Sequence, residues 1–405
     1  MSLFNRARAG EVLAAESLDG LLATSLENVY YLTGIWVESQ IALPRQAQFY
    51  AMVSRERLDR PAVACGINEM ANVLAHRPPG TVVVPFGKFY RFVQGSPKLD
   101  ELEQAVKAHV IDGLGHSRSG VAVALVEALE AVGLQRGRVG YDERGLLLAE
   151  VKAEVEKKLP GLQLVPAYAT FRKIRAVKTP VELTRLEAAL DLNERAIMAA
   201  MAIAKVGVTE HEMVAEYERT VVTAGGRPSV TQIFFGGNGS TGYVQGRNAT
   251  LTPGEVIRFD TACFLDGYSS DIARNFSLGP PAAGPRVQRY YEAILAGETA
   301  AVAAMRPGVP AQEVFRVGVE ATRKAGIPHY DRSHIGHGVG IEIYDIPLLG
   351  PADSTPLESG MVFQVELPYY ELGFPGLQVE DTVLVTPSGG RILGSLDRSF
   401  RVVGD

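Results

Sequence analysis

RFDTACFLDGYSSDIARNF, residues 258–276, holds two strand-like apolar runs that meet at Asp266-Gly267, a dipeptide that favours the tight turn of a β-hairpin. With a two-residue turn, Ala273 falls opposite Asp260, and Asp271 projects from the same face two positions away. Two carboxylates held close together repel each other unless a cation stands between them. A lone Asp in a strand is more often solvent-facing or ion-paired. The reading therefore depends on what else the chain brings to that face.

A second pair follows downstream. VFQVEL carries Glu366, a Pro- and Gly-containing loop intervenes, and LQVED returns with Glu380. Between the two hairpins lies SHIGHGVG, residues 333–340, whose glycines let backbone approach closely and whose His337 offers an imidazole to the same region. Asp260, Asp271, Glu366, Glu380 and His337 would form an oxygen-rich cage suited to two divalent ions, Mn²⁺, Co²⁺ or Zn²⁺, and poorly suited to a thiophilic metal. Taken alone, His337 reads as a hydrogen-bonded structural histidine. His334 is weighed the same way against a substrate contact.

Outward from these hairpins, two helices then paired strands occur twice. Thr179-Pro180-Val181-Glu182 opens a helix with capping-box spacing, and Thr209 with Glu212 opens another. Strand-like runs VTQIFFGG, EVIRFDTACF and GYSSDIARNFSLG come next. Helices predicted over 285–305 and 310–325 then precede GMVFQVEL and LQVEDTVLV. GGNGS, residues 236–240, reads as a turn, because no phosphate-loop arrangement surrounds it. Upstream, GLLAT, AMVSRE, PAVACG and TVVVPF alternate with helical patterns, including one over 121–132, which is an α/β layout. A boundary near Phe171 divides residues 1–170 from residues 171–405.

Composition narrows the class. With 405 residues, 46% hydrophobic and 21% charged, the chain has the balance of a globular protein of two domains. A net charge of −6 without a basic cluster leaves no footprint for nucleic acid. No run approaches a membrane span and no secretory pattern opens the chain, so a cytoplasmic protein is expected, with small-molecule partners. Cys65 and Cys263 form neither a CxxC pair nor a spaced framework and read as buried hydrophobes.

Residues 171–405 resemble the pita-bread metallopeptidases: methionine aminopeptidase, aminopeptidase P, prolidase and the metal-free creatinase. The resemblance rests on an Asp, an Asp eleven residues on, the His of GHGxG, and two Glu, which fall here on Asp260, Asp271, His337, Glu366 and Glu380. NVYYLTG, residues 28–34, resembles the amino-terminal domain of the creatinase and prolidase branch. The implied fold is an α/β amino-terminal domain followed by an α+β pita-bread domain with pseudo-two-fold duplicated halves. The implied chemistry is two-metal hydrolysis, with Glu366 as proton shuttle and ligand. A homodimer is also implied, in which Trp36, Arg45, Tyr90 and Arg91 reach a neighbouring site or are ordinary surface.

The sequence departs from the family at three places. Where peptidases usually carry a second His, seven residues after the metal His, GIEIYD places Tyr344, which can donate to an oxyanion but is a poor base. Upstream of Asp260 no histidine occurs in FGGNGSTGYVQGRN, and Tyr243 or Gln245 takes its approximate place. Gln378 stands where aminopeptidase P and prolidase commonly have Arg. The catalytic candidates are thus Glu366, Tyr344 and His334, and the substrate-binding candidates are Tyr243, Gln245 and Gln378. An Xaa-Pro dipeptidase or aminopeptidase P-like peptidase is the first reading. A hydrolase of a non-peptide C–N bond, a metal-dependent lyase, or a non-catalytic binding protein are the others.

Overall fold

The computed structural model describes residues 3–113, 119–242 and 248–404. The chain divides into two compact units, Met1–Arg175 and Ala176–Asp405. The sequence boundary near Phe171 falls inside a helix, Tyr168–Ala176, and the division lies at the end of that helix. The reason is continuity of helical backbone across a segment whose texture changes only at Thr179.

The first unit is built on a six-stranded mixed sheet in the order Val82–Phe86, Ala62–Gly66, Phe49–Ser54, Gly20–Ala23, Arg136–Tyr141, Gly161–Pro166. Its two central strands, Phe49–Ser54 and Gly20–Ala23, are buried along their whole length and almost entirely apolar, as strands covered on both faces must be. Helix Val121–Ala131 buries Ala122, Leu125 and Leu129 in the core that also holds Leu22, Met52 and Val139. NVYYLTG forms most of helix Leu26–Thr33, which Ser25 caps at its start and Gly34 ends in the left-handed conformation at φ 72°. Trp36 meets Tyr30 edge-on, and Arg91 donates to the carbonyls of Ile67 and Asn68, while Tyr90 stays exposed.

The second unit repeats one plan twice. Helices Pro180–Ala202 and Glu210–Thr223 both start with the capping boxes read from sequence, Thr179 with Glu182 and Thr209 with Glu212. Strands Arg227–Phe235, Val256–Leu265 and Ile272–Leu278 follow. Helices Arg286–Ala304 and Ala311–Ala325 then precede strands Gly336–Gly338, Val362–Tyr369 and Leu377–Thr386. In the sheet, inside an edge strand Asp345–Leu348 that pairs with Gly336–Gly338, the order of these six strands reads Gly336–Gly338, Val362–Tyr369, Leu377–Thr386, Ile272–Leu278, Val256–Leu265, Arg227–Phe235. That order is palindromic, and its centre is the pairing of Ala273 with Glu380.

Each half packs its own core on one face of the sheet. Leu190, Ile197 and Tyr217 meet Phe259, Ile272 and Phe276 in the first. Tyr291, Ile294 and Val314 meet Phe363, Val365 and Val379 in the second. Because side chains alternate along a strand, the residues between these apolar ones point to the opposite face. Those residues include Arg258, Asp260, Gln364, Glu366, Gln378 and Glu380. One sheet therefore has an apolar face under helices and a buried polar face.

Both Cys65 and Cys263 are buried free thiols. No helix among the described residues is long and apolar enough to cross a membrane.

Candidate metal centre

The hairpin of residues 258–276 has the register that a two-residue turn requires. Leu265 pairs with Tyr268 around Asp266 and Gly267, whose φ angles of 48° and 77° suit the twist of the flanking strands. Ala273 consequently lies opposite Asp260. In the other half Glu366 lies directly opposite Glu380.

His337 arrives on the adjoining strand, paired with Gln364. The flanking glycines explain how it fits there. A Cβ at Gly336 would strike the Gln364 carbonyl oxygen, and one at Gly338 would come within 2.5 Å of the Ile346 carbonyl oxygen. His337 Nδ1 lies 3.1 Å from the Gly338 carbonyl oxygen, an arrangement that places the proton on Nδ1 and leaves Nε2 as a lone-pair donor.

Asp271, His337 and Glu380 each offer one ligand atom within 4.8 Å of the others. Asp260 and Glu366 line the same pocket, about 420 Å³ in volume, together with Arg332, His334, Tyr344 and Tyr370. Burial, then the charges of Asp260 and Glu366, push the Asp271 carboxyl well above its ordinary range. Burial, then Asp271 and Glu366, do the same to Glu380. Asp260 is also raised by burial, against the opposing pull of Arg258. Burial lowers the basicity of His337, which favours the neutral, ligating form. Asp271 Oδ1 is buried with no hydrogen-bond partner. An imidazole with a free nitrogen, carboxylates that repel one another and an orphaned carboxylate oxygen form a donor set that fits a divalent cation.

Glu366 differs from its neighbours. Burial works against its charge, but the hydrogen bond from His334 and the nearby His337, His334 and Arg332 outweigh it and hold the carboxyl below its ordinary range. His334 Nε2 is 3.0 Å from Glu366 Oε1, and the Tyr344 hydroxyl is 3.4 Å from the same oxygen. Tyr344 is half exposed and stacks flat on the His337 ring with centroids 3.5 Å apart. Its aromatic face is thus committed to a ligand, while its hydroxyl remains beside Glu366 and His334.

Gln378, expected from the sequence to bind substrate, is buried and is not among the residues that line the pocket. It is buried behind the carboxylates: Nε2 donates to Glu380 at 3.2 Å and reaches Glu366 at 3.5 Å. Its Oε1 accepts from Arg258 and from the Tyr370 hydroxyl. Tyr243 and Gln245 lie outside the described residues. Arg258 is a further residue of the site that motif reading passed over. Its guanidinium is fully buried, donates to Gln378, Tyr370 and Gln232 at 2.8 Å each, and stands 3.4 Å from Asp260. The signal was its position two residues before Asp260 on an alternating strand.

A curled sheet whose polar face presents carboxylates and one histidine is an architecture that could hold a metal ion. Residues 184–387 match the metallopeptidase family M24, and residues 6–82 match the creatinase/prolidase N-terminal domain. The chain belongs to metallopeptidase family M24. A putative dipeptidase, YkvY, of Bacillus subtilis is 32% identical over 231 residues, 56% of this chain. That match covers 63% of YkvY, so the chain spans less than two thirds of the relative's length. A dipeptidase from Pyrococcus horikoshii OT3 has the same fold at 22% identity, with a TM-score of 0.76 over 98% of this chain and 99% of that one. The dipeptidase PepE of Mycobacterium ulcerans, at 24% identity, has a TM-score of 0.74 over 99% and 97% of the two chains.

Proposed function

We propose that this protein is a peptidase that cleaves Xaa-Pro bonds, as a dipeptidase or in the manner of aminopeptidase P. Two divalent ions, Mn²⁺, Co²⁺ or Zn²⁺, would be held by Asp260, Asp271, His337, Glu366 and Glu380. The observation that carries this reading is the convergence of Asp271, His337 and Glu380 within 4.8 Å, in a pocket whose remaining acids are Asp260 and Glu366. We assign the reaction to residues 171–405.

Divalent ions in such a site supply Lewis acidity and water that ionises near neutral pH. Glu366, held ionised by His334 at 3.0 Å, is placed to take up a proton from the attacking water and to deliver it to the leaving nitrogen. His334 orients that carboxylate through the contact between its Nε2 and Glu366 Oε1. Tyr344 braces His337 by stacking and aims its hydroxyl at the oxygen of Glu366 that His334 also holds. Gln378 and Arg258 keep the ligand carboxylates from below.

A hydrolase of a non-peptide C–N bond is the second reading, and one observation favours it. Tyr344 occupies the position where these peptidases usually carry a histidine, and its ring is committed to His337. The deciding experiment is turnover of an Xaa-Pro dipeptide and X-Pro-peptide panel by the Mn²⁺- and Co²⁺-loaded protein, read by mass spectrometry, with Asp260→Ala as blank. Release of free amino acid that the blank lacks supports the peptidase. Silence from protein that holds metal transfers the reading to small C–N substrates.

A further inference from the structure

Four carboxylates dominate the pocket, yet among its described lining residues one side chain carries a permanent positive charge, Arg332. The nearby Glu366 feels that charge but takes its direct hydrogen bond from His334. Arg332 Nε is buried with no hydrogen-bond partner, and no ion pair joins Arg332 to an acid among the described residues. The acids on its other side, bordering a second hollow of about 360 Å³, are already matched. Asp331 pairs with Arg323 at 3.6 Å, and Glu371 pairs with Arg286 at 2.8 Å.

The guanidinium is also held in place. Its carbon sits 5.6 Å from the ring centre of Tyr370, and the Tyr370 hydroxyl is fixed in turn by Arg258 at 2.8 Å. A cation braced on an aromatic ring, facing a pocket and making no direct ion pair, is pre-organised for an anion that arrives with a ligand. A guanidinium can grip a carboxylate through two parallel hydrogen bonds, which an ammonium cannot. Divalent ions would neutralise the acidic cluster, and Arg332 is the side chain among the described lining residues that adds a fixed positive charge for a free carboxylate. A pocket of this volume suits a small molecule.

We propose that Arg332 anchors the free carboxylate of the substrate, which makes it the specificity-determining residue for small free acids over amidated or extended chains. The inference rests on the hydrolase reading of the same pocket, but its test does not require turnover.

The test is calorimetric binding of L-proline and L-prolinamide to the Mn²⁺-loaded full chain, to Arg332→Gln and to Arg332→Lys. Proline binds the wild type about 10- to 100-fold more tightly than prolinamide, the scale of a charge-assisted pair. Arg332→Gln brings proline down to the affinity of prolinamide, and Arg332→Lys keeps part of the preference. Equal affinities in the wild type, no detectable binding of proline, or a preference that survives Arg332→Gln each overturn the proposal. Turnover of Ala-Pro and its amide separates the two readings: a binding preference without cleavage leaves the anchor standing and removes the peptidase.

Discussion

Glu380 and Asp381 are consecutive, both buried, and on one strand, yet they belong to opposite worlds. Glu380 points to the polar face, where its neighbours are other acids, and its carboxyl is pushed well above the ordinary range by burial and then by Asp271. Asp381 points to the face under helix Arg286–Ala304. There Arg274 donates to it at 2.6 Å and Arg398 lies 2.7 Å away, while Glu298 shares the cluster. Burial opposes the charge of Asp381, and Arg274 more than repairs it, so its carboxyl lies below the ordinary range. The lesson is that a buried acid marks a site only where the fold withholds the counter-charge.

Removing one carboxylate from each cluster tests that contrast with the largest effects. Asp271→Asn deletes an acid that has no protein counter-ion, so the metal-free protein keeps its melting temperature or gains. Mn²⁺ stoichiometry drops, and turnover falls by roughly 10³-fold or more. Asp381→Asn does the reverse. It strands Arg274, buried and charged, and costs about 3–5 kcal/mol in a denaturant titration, while the folded fraction still takes up Mn²⁺. If both variants lose the same stability and the same metal, the two clusters are not different in kind.

Glu182 is an intermediate case. Buried at the start of helix Pro180–Ala202, it has only Lys178, the Thr179 cap and the Tyr268 hydroxyl to offset burial, and its carboxyl is raised to about 7. The folded state therefore holds this proton more tightly than the unfolded chain, whose value is 4.5. The favourable contribution is complete below pH 4.5 and is lost as pH rises through 7, a swing of roughly 3 kcal/mol. Glu182→Gln keeps a capping-box residue but removes the titration. Its stability relative to wild type should climb between pH 5 and pH 8 in urea titrations. A constant difference across that range would mean that the carboxyl is solvated.

These clusters were unequally legible in the sequence. Local signals carried far: Asp266-Gly267 fixed the hairpin register, Thr179 and Thr209 announced helix starts, and the glycines beside His337 foretold close backbone contact. Each depends on backbone geometry within a few residues. Charge partnership does not. Nothing in LQVED distinguishes the fate of its two acids, because Arg274, Arg398 and Glu298 come from distant segments. Arg258 stood first in the very stretch that suggested the site, but its partners Gln232, Gln378 and Tyr370 lie on three other segments. Gln378 looked like a substrate contact because its family position was known and its depth was not.

The smallest expected effect concerns that arginine. Arg258 and Gln378 share the polar face and touch at 2.8 Å, so the guanidinium beside Asp260 could in principle be supplied from either strand. The family habit of placing Arg at the position of Gln378 then becomes an exchange of partners across a hydrogen bond, not a loss of charge. Arg258→Gln should weaken Mn²⁺ binding and turnover by roughly 10- to 100-fold, as expected when a group supporting a ligand is removed. Adding Gln378→Arg to that variant should recover most of the loss, because the cation returns to nearly the same place. Gln378→Arg alone should be worse than either, since it crowds two buried guanidinium groups together. Titration of Mn²⁺ into the four proteins decides the matter. A double variant no better than Arg258→Gln would mean that Asp260 needs the geometry of the first strand and not merely a nearby positive charge.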